Sequence, residues 1–576
     1  MSILDNFDIP FSTYGSYLSF HYYDETYMNA PDIGNFPVPK PYQKGFTLRT
    51  NRYAVMDSFI CCFIPCDENG ECEYKLERNY VETKLITKKG NISFFFAKDD
   101  TFLIKVDQGL SLKIDFTAHN KLFQHGYELP DGRFIVECFK NDCRFLIDIQ
   151  KGAGTLVQDW HTDHTDLLVL HVEGKEGILL SVHETVTDFS LAQVKYDYDE
   201  ELNKAKQNFN QMVNSYSIDV TNEVDLAAVY LNYSCTVKPE GNLKRYAMLM
   251  SKNFMNRVWS WDHAFNAWAL SYKDPVKAWD QFMIMFDYQL SNGRIPDDVS
   301  DSEINYVYCK PPVHGWILSK MRKHMELSRE QLVEAYDKLS KWTKWWLTCR
   351  DMNHDGIYEY THGNDSGWDN ASAFDLLPPV DSPDLQALLV LQMRELANLA
   401  KELDKSRQEI EWKEKATQLK DKTLQELIVN DRPVSRRTFS KEVIEKGCLL
   451  PYYILLFGEE IDVNLRKSMI QDLEDHFLTE HGLATEMLSS SKYEEDGYFR
   501  GPIWAPCTMI MLEALERCHY DKLVKKIAES FLDMVSKNGF AENFNALTGK
   551  ALRDRAYSWT SSIYLVIKNE YSCKNA

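Results

Sequence analysis

The sequence has no excess of positive charge and no long apolar run. Its 65 lysines and arginines stand against 86 aspartates and glutamates, a formal net charge of −21 at pH 7 over 576 residues. Such a chain repels phosphate backbones and anionic membrane surfaces, so nucleic acids and membranes are not expected as partners. No stretch approaches about 18 uninterrupted apolar residues, so no membrane-spanning helix is expected.

Features of secretion and of disulfide-rich proteins are also missing. The N-terminus, MSILDNFDIPFSTYGSYLSF, has neither a basic segment nor the apolar core of a secretion signal. The 13 cysteines are odd in number and unpatterned, and they lack the paired C-x2-C spacing of structural zinc sites. We therefore expect reduced thiols, a cytoplasmic location and no required cofactor, and the sequence leaves the oligomeric state open.

The sequence does have many aromatic residues and two kinds of apolar periodicity. The 13 Trp, 31 Tyr and 30 Phe make up 13% of the chain, and aromatic faces suit both large cores and sugar stacking. Segments such as Ser93–Ala97, Thr101–Val106 and Leu167–Gly174 are short, rich in β-branched and aromatic residues, and separated by turn formers. They predict an antiparallel β-sandwich.

The pattern changes near residue 195. Apolar residues then recur at i, i+3 and i+4 in about twelve helix-length segments, which begin near residues 224, 262, 275, 312, 329, 382, 407, 440, 462, 502, 520 and 556. This number predicts six αα-hairpins, arranged as a toroid of six inner and six outer helices or as a plain helical array. We therefore expect a multidomain chain with a β-sandwich over 1–195, a helical linker over 196–221 and an all-α domain over 222–576.

Long connections between helices are the places where function is expected. Four stand out, over 293–312, 350–381, 482–502 and 538–555. Paired carboxyl groups on such loops are what glycoside cleavage needs, because one must protonate the leaving oxygen while the other activates water or attacks carbon. Many residues qualify by position, although most acidic side chains are simply solvated: Asp365, Asp369, Asp375, Asp381, Glu486, Glu494, Glu495 and Glu542.

Two of these carboxyl groups have apolar neighbours. Asp369 follows Trp368. Phe540 stands two positions before Glu542, and Phe544 stands two positions after it. An apolar environment raises the pKa of a carboxyl group, as a general acid requires. Asp369 and Glu542 are therefore the candidates that local sequence favours.

Six motifs occur in the order seen in glycoside hydrolase family 63: WSWDHAF (259–265), GRIP (293–296), KPP (310–312), SGWDNAS (366–372), YFRGPIW (498–504) and ENFNALTG (542–549). Over about residues 220–570 the chain resembles this group. It is also similar to mannosylglycerate and glucosylglycerate hydrolases and, more distantly, to family 37 trehalases. The resemblance implies an (α/α)6 barrel after the β-sandwich, and an inverting mechanism.

The resemblance also implies roles for individual residues. Asp369 corresponds to the general acid and Glu542 to the general base. The substrate-binding positions that it implies around the −1 subsite are Trp261, Asp262, Trp368, Tyr498, Arg500 and Trp504. Lys310 is a departure, because a neutral residue, often glutamine, is expected before the two prolines, and this puts one wall of the subsite in doubt.

A possible calcium loop precedes the acid. Asp351, Asn353, Asp355 and Gly356 match the first half of a calcium-binding loop, but His362 stands where its bidentate glutamate belongs. A structural calcium ion and a turn stabilised by Asx side chains are equal alternatives here.

We therefore expect an inverting exo-α-glycosidase, in particular an α-glucosidase that hydrolyses small α-glucosides. The first alternative is a mannosylglycerate or glucosylglycerate hydrolase, in which Lys310 is a candidate partner for the substrate carboxylate. The second is a non-catalytic sugar-binding protein on the same scaffold. A phosphorylase is disfavoured, because the Glu542 carboxylate would repel the attacking phosphate.

Overall fold

The computed structural model describes residues 2–29, 40–54, 58–117, 124–141, 143–185, 194–444 and 447–572. The chain forms two compact units. The first comprises Met1–Asn214, Val229–Gly241 and Ser251–Asn256, and the second comprises Ser215–Ala228, Asn242–Met250 and Arg257–Ala576. The domain limits predicted from the sequence stay predictions.

The first unit contains two antiparallel sheets. In spatial order, the strands of one sheet are Leu18–Tyr23, Gly45–Thr50, Phe59–Asp67, Ser111–Asp115, His164–Glu173 and Ala153–His161, and Gly70–Glu71 pairs with the third of them. Those of the other sheet are Gln124–Glu128, Phe134–Cys138, Cys143–Lys151, Ile178–Thr185, Thr101–Val106, Asn91–Lys98, Thr83–Ile86 and Lys75–Arg78. The prediction of antiparallel strands in this part of the chain is confirmed.

Aromatic side chains fill the space between these two sheets. Phe20 of the first sheet stacks on Phe46 with ring centroids 5.1 Å apart, and it contacts Phe94 and Phe102 of the second sheet at 5.8 Å and 5.0 Å. The segment predicted as a helical linker forms the helix Tyr198–Val213, which also lies in this unit. The richness of the strands in phenylalanine is therefore explained by a shared core.

The second unit is mainly helical. Its α-helices are Asp262–Ser271, Pro275–Met283, His314–Met321, Arg329–Cys349, Pro383–Glu402, Ser406–Glu426, Val463–His476, Ala505–Arg517, Asp521–Asn538 and Ser558–Ile567, and a 3-10 helix covers Leu450–Glu460. A further helix is Glu223–Cys235. The segment predicted near residue 440 is wrong by about ten residues, because Arg436–Arg437 pairs as a strand with Val380–Asp381 before the 3-10 helix begins.

Six of these helices close into a ring. Each contacts the next, and the last contacts the first, in the order Asp262–Ser271, His314–Met321, Pro383–Glu402, Leu450–Glu460, Ala505–Arg517 and Ser558–Ile567. The long connections that the sequence singled out each lead into the N-terminus of a ring helix. Since the intervening helices return the chain to the same end every time, these connections gather at one end of the ring. Within the described residues, no helix is both long and apolar enough to cross a membrane.

Candidate active site

Two buried aspartates lie where the chain enters the first ring helix. Asp262 is the first residue of Asp262–Ser271 and is 2% exposed, and Asp297 is 5% exposed. The Ser260 amide donates a hydrogen bond to the Asp297 carbonyl at 2.9 Å, which holds the two segments together. Burial raises the pKa of Asp262 well above its ordinary value and the pKa of Asp297 to about 6.

Lys310 places a positive charge among these carboxyl groups. Its Nζ donates to the Asn364 carbonyl at 3.0 Å and lies 3.6 Å from Asp297 Oδ1 and 3.8 Å from Asp369 Oδ1. Burial works against the charged form, but Asp369, Asp297 and Asp262 outweigh it and raise the pKa of Lys310. Lys310 is therefore charged and surrounded by carboxyl groups.

A tight turn presents Asp369. The 3-10 helix Gly363–Ser366 ends at Gly367, which has φ 74° and whose missing side chain leaves room for the Trp261 ring. Trp368 points into the core, while the Asp369 side chain stays 30% exposed. Burial raises the pKa of Asp369, and the charge of Lys310 acts against this increase. The side chain thus combines a raised pKa with access to solvent.

The residue after Asp369 joins two of the long loops. Asn370 donates to the Gly497 carbonyl at 3.0 Å and accepts from the Phe499 amide at 2.9 Å. Arg500 Nε donates to the Asn370 carbonyl at 2.8 Å, and its Nη2 pairs with Asp375 at 2.6 Å. Arg500 is therefore held by both loops. Together, the contacts of Asn370 and Arg500 fix the loop that carries Asp369 against the loop that carries Tyr498.

Glu542 lies at the start of a short hairpin made by Asn543–Phe544 and Ala551–Leu552. Its Oε1 accepts a hydrogen bond from the Tyr498 hydroxyl at 3.2 Å, and its Oε2 faces the Asp554 amide at 3.5 Å. The Tyr498 hydroxyl also acts on the Asp369 carboxyl group. The Tyr498 phenol is thus hydrogen-bonded to Glu542 and close enough to Asp369 to lower the pKa of that carboxyl group.

The electrostatic surroundings of Glu542 are mixed. Burial and, next, the negative charge of Asp554 raise the pKa of Glu542 to about 8. The Asp554 amide, the Arg553 guanidinium and the Tyr498 hydroxyl act in the opposite direction, because each favours the carboxylate. Burial thus favours the protonated form of Glu542, while its hydrogen-bond donors and Arg553 favour the carboxylate.

Two residues beside Glu542 have strained backbones. Tyr498 and Arg553 both have φ 62°, in the left-handed region that side chains other than glycine rarely adopt. Their side chains touch, with the guanidinium 5.3 Å from the ring centroid, and Arg553 is ion-paired with Asp496 at 2.9 Å. Strain of this kind is concentrated at functional sites.

The predicted tryptophans lie behind these polar groups. Trp261, Trp368 and Trp504 are each 3% exposed or less. Trp504 stacks on Phe499 with centroids 4.0 Å apart and donates its Nε1 hydrogen bond to the Tyr498 carbonyl at 2.9 Å. In this arrangement the three indoles support the loops that carry the polar side chains.

The predicted calcium ligands form a different set of contacts. Asn353 donates to Asp355 Oδ2 at 2.9 Å, Asp351 Oδ1 accepts from the Gly356 amide at 3.2 Å, and the Lys441 ammonium contacts Asp355. These contacts are those of an Asx-stabilised turn, and a lysine competes with any cation for Asp355. Calcium binding here stays a prediction.

Residues 255–560 match the sequence family described as mannosylglycerate hydrolase MGH1-like glycoside hydrolase domain. The match spans more than half of the chain, so the chain belongs to this family and is a glycoside hydrolase of the family 63 type. The resemblance drawn from the six motifs is thereby confirmed.

Individual relatives agree with this assignment. The mannosylglycerate hydrolase of Rubrobacter radiotolerans is 21% identical over 403 residues, which cover 53% of this chain and 89% of the relative. The mannosylglycerate hydrolase MGH1 of Selaginella moellendorffii is 20% identical over 389 residues, 53% of this chain and 79% of the relative.

Solved structures show the same fold. The family 63 mannosylglycerate hydrolase of Thermus thermophilus, in complex with Tris, has a TM-score of 0.52 at 18% identity and covers 59% of this chain and 99% of its own. A bacterial glucoamylase complexed with acarbose has a TM-score of 0.63 at 12% identity and covers 98% of this chain and 93% of its own. The glucoamylase likeness therefore extends over both units.

Sequence reasoning missed three charged residues of the site. Asp297 directly follows the GRIP motif, and Asp554 and Arg553 lie just beyond the last motif. Their proximity to motifs was a signal, but their roles depend on contacts with Lys310, Tyr498 and Glu542 that no local pattern contains.

Proposed function

We propose that the protein is an inverting exo-α-glycosidase whose helical ring is an (α/α)6 barrel and whose two sheets form a β-sandwich. The observation that carries the proposal is that Asp369 and Glu542, which come from different loops, both lie close to Tyr498, whose hydroxyl donates to Glu542 Oε1 at 3.2 Å and lowers the pKa of Asp369. Each carboxyl group has a raised pKa, and the Lys310 ammonium lies beside Asp369. Two differently tuned carboxyl groups are what general acid and base catalysis on a glycoside needs.

In this mechanism Asp369 donates its proton to the glycosidic oxygen as the bond to the anomeric carbon breaks. Glu542, in its ionised form, takes a proton from a water molecule that attacks the opposite face of the sugar. Tyr498 holds Glu542 Oε1, and its hydrogen bond favours the carboxylate form of the base.

Asp262 and Asp297 supply hydrogen-bond acceptors to the −1 sugar. Asp262 Oδ2 is buried and accepts no hydrogen bond from any part of the chain that the structure describes. A buried acceptor without a donor is costly, and a sugar hydroxyl would satisfy it. Lys310 partly balances the negative charge of the subsite.

The sugar and the leaving group have two candidate identities. Small α-glucosides are the first, as expected from the sequence. The second is an α-mannoside or α-glucoside of glycerate, which the names of the relatives support. A glycerate carboxylate would need a basic or hydrogen-bond-donating partner near the acid, where the leaving group lies.

His362 fits that requirement better than Lys310, whose ammonium already faces carboxyl groups. The His362 ring stacks on Tyr308 with centroids 4.8 Å apart, and its Nδ1 accepts from the Asn364 amide at 3.1 Å. The neutral ring therefore carries its proton on Nε2. His362 is exposed, and in its protonated form it would lower the pKa of the nearby Asp369 carboxyl group.

Proton NMR of hydrolysis tests the proposal. Methyl α-glucoside, methyl α-mannoside, glucosylglycerate and mannosylglycerate would each be followed from the first minutes, with Asp369→Asn as the inactive control. We expect initial release of the β-anomer of one sugar, abolished in the variant. Initial release of the α-anomer would contradict the inverting mechanism, and sugar binding without turnover would support the non-catalytic alternative.

A further inference from the structure

Lys310 takes part in no step of the mechanism described above, although it lies beside the proposed acid. Its side chain is 7% exposed, and its Nζ is anchored by the Asn364 carbonyl at 3.0 Å and by Asp297 at 3.6 Å. Asn364 belongs to the turn that presents Asp369. The ammonium is therefore fixed at 3.8 Å from Asp369 Oδ1 by groups on both sides of it.

A general acid becomes an anion as it gives up its proton. In a site with little water, a fixed positive charge near that oxygen favours the forming carboxylate and so strengthens the acid. The desolvated surroundings of Asp369 have the opposite effect, since they favour the protonated form. A lysine at this position offsets the effect of burial on the pKa of the acid.

We propose that Lys310 is a positioning residue for the general acid, whose ammonium, held by the Asn364 carbonyl and shared with Asp297, stabilises the Asp369 carboxylate as it forms. The inference rests on the proposed function, in which Asp369 is the proton donor. The Asp369 O–H bond breaks, its proton goes to the glycosidic oxygen, and the electron pair of the C–O bond goes to that oxygen. Lys310 keeps all its protons.

The charged groups around the ammonium are the three carboxyl groups of Asp262, Asp297 and Asp369. Asp298 acts on Asp297 from the adjoining strand, and His362 acts on Asp369. Of these groups, Asp297 is the one that competes with Asp369 for the ammonium, and its replacement by asparagine removes that negative charge while the Asn364 carbonyl still holds Nζ. Asp297→Asn is therefore the counterpart of a Lys310 substitution. It should lower the pKa of Asp369, whereas loss of the Lys310 charge should raise it.

Substrates whose leaving groups differ in basicity can show whether Lys310 strengthens the acid or only supports the structure. An alkoxide needs protonation to depart, whereas 2,4-dinitrophenolate departs with little help. We would measure kcat for the methyl and the 2,4-dinitrophenyl α-glycosides of the sugar that the NMR panel identifies. The enzymes compared would be the wild type, Lys310→Met, Lys310→Gln, Lys310→Arg and Asp369→Asn, each checked for folding by its melting temperature.

We expect Lys310→Met to lose roughly ten- to a hundredfold in kcat on the methyl glycoside but less than about threefold on the dinitrophenyl glycoside. Lys310→Gln should give the same result and replaces Lys310→Met if that variant folds poorly, and Lys310→Arg should retain most of the activity because it keeps the charge. In kcat/KM profiles, the limb due to Asp369 should move to higher pH in Lys310→Met and to lower pH in Asp297→Asn.

Equal losses on both substrates, or pH limbs that stay in place, would show that Lys310 has only a structural role. The proposed function itself is tested separately by Asp369→Asn. If this variant lost activity equally on both glycosides, Asp369 would not be the proton donor, and the inference about Lys310 would fall with it. Selective loss in Asp369→Asn combined with equal losses in Lys310→Met would overturn only the role of Lys310.

Discussion

Replacing Asp554 by asparagine tests the electrostatics of the proposed base. Asp554 is 2% exposed, and its Oδ1 accepts a hydrogen bond from the Ala556 amide at 3.0 Å. Asparagine has the same shape and can accept the same bond through its own Oδ1. The substitution therefore removes a negative charge next to Glu542 and leaves the local turn in place.

The size of the effect follows from the two main causes of the raised Glu542 pKa, which goes from 4.5 to about 8. Burial is the larger cause, and it remains in the variant. At an effective dielectric constant of about 20, a unit charge at a distance of about 5 Å contributes about 3 kcal/mol, which corresponds to about 2 pKa units, and a larger separation reduces this contribution. We expect the pKa of Glu542 in Asp554→Asn to fall by about 1 to 2 units.

The assay is the pH dependence of kcat/KM, which reports ionisations of the free enzyme. The reactive state carries one proton on Asp369 and none on Glu542, so each of the two carboxyl groups contributes one limb to the profile. The limb due to Glu542, near pH 8 in the wild type, should move to lower pH in Asp554→Asn. Asp533→Asn, which removes an exposed charge from an outer helix, is the control.

A Glu542 limb that stays at the same pH in Asp554→Asn would refute this account of Glu542. A limb that moves equally in Asp533→Asn would show an effect of net charge alone. A limb that moves upward would show that Asp554 stabilises the carboxylate form, the reverse of the effect assigned to its charge.

Three further outcomes are expected. Tyr498→Phe removes the hydroxyl that donates to Glu542. Since hydrogen bonds to charged groups contribute about 1.5–3 kcal/mol, kcat/KM should fall by roughly ten- to a hundredfold with little change in melting temperature. An unchanged kcat/KM would contradict the role given to this phenol. His362→Ala should raise KM severalfold for a glycerate conjugate but not for the methyl glycoside of the same sugar, and parallel changes would remove His362 from glycerate recognition. Added calcium should raise the melting temperature of the EDTA-treated protein by less than about 1 °C, because Lys441 competes with a cation for Asp355. A larger rise that is abolished in Asp355→Asn would instead establish a calcium site.

The sequence by itself determined the order of strands and helices, and it singled out Asp369 and Glu542 as the candidate catalytic carboxyl groups. The spacing of apolar residues shows which face of a strand or helix is buried. Because this spacing is a property of the segment itself, strands and helices can be located without knowing the tertiary structure. For this reason the start of the helix at Asp262 was predicted to the residue. The helix predicted near residue 440 failed, because a strand pairing with Val380–Asp381 took precedence over local periodicity.

Only the tertiary structure decided how the site is charged. Asp369 and Glu542 lie on different loops, and the closed ring of helices brings both to one tyrosine hydroxyl. The same closure places Lys310 between Asp297 and Asp369. A pKa depends on every charge within several ångströms and on exclusion of water, and these are properties of the assembled loops that no single segment of sequence contains.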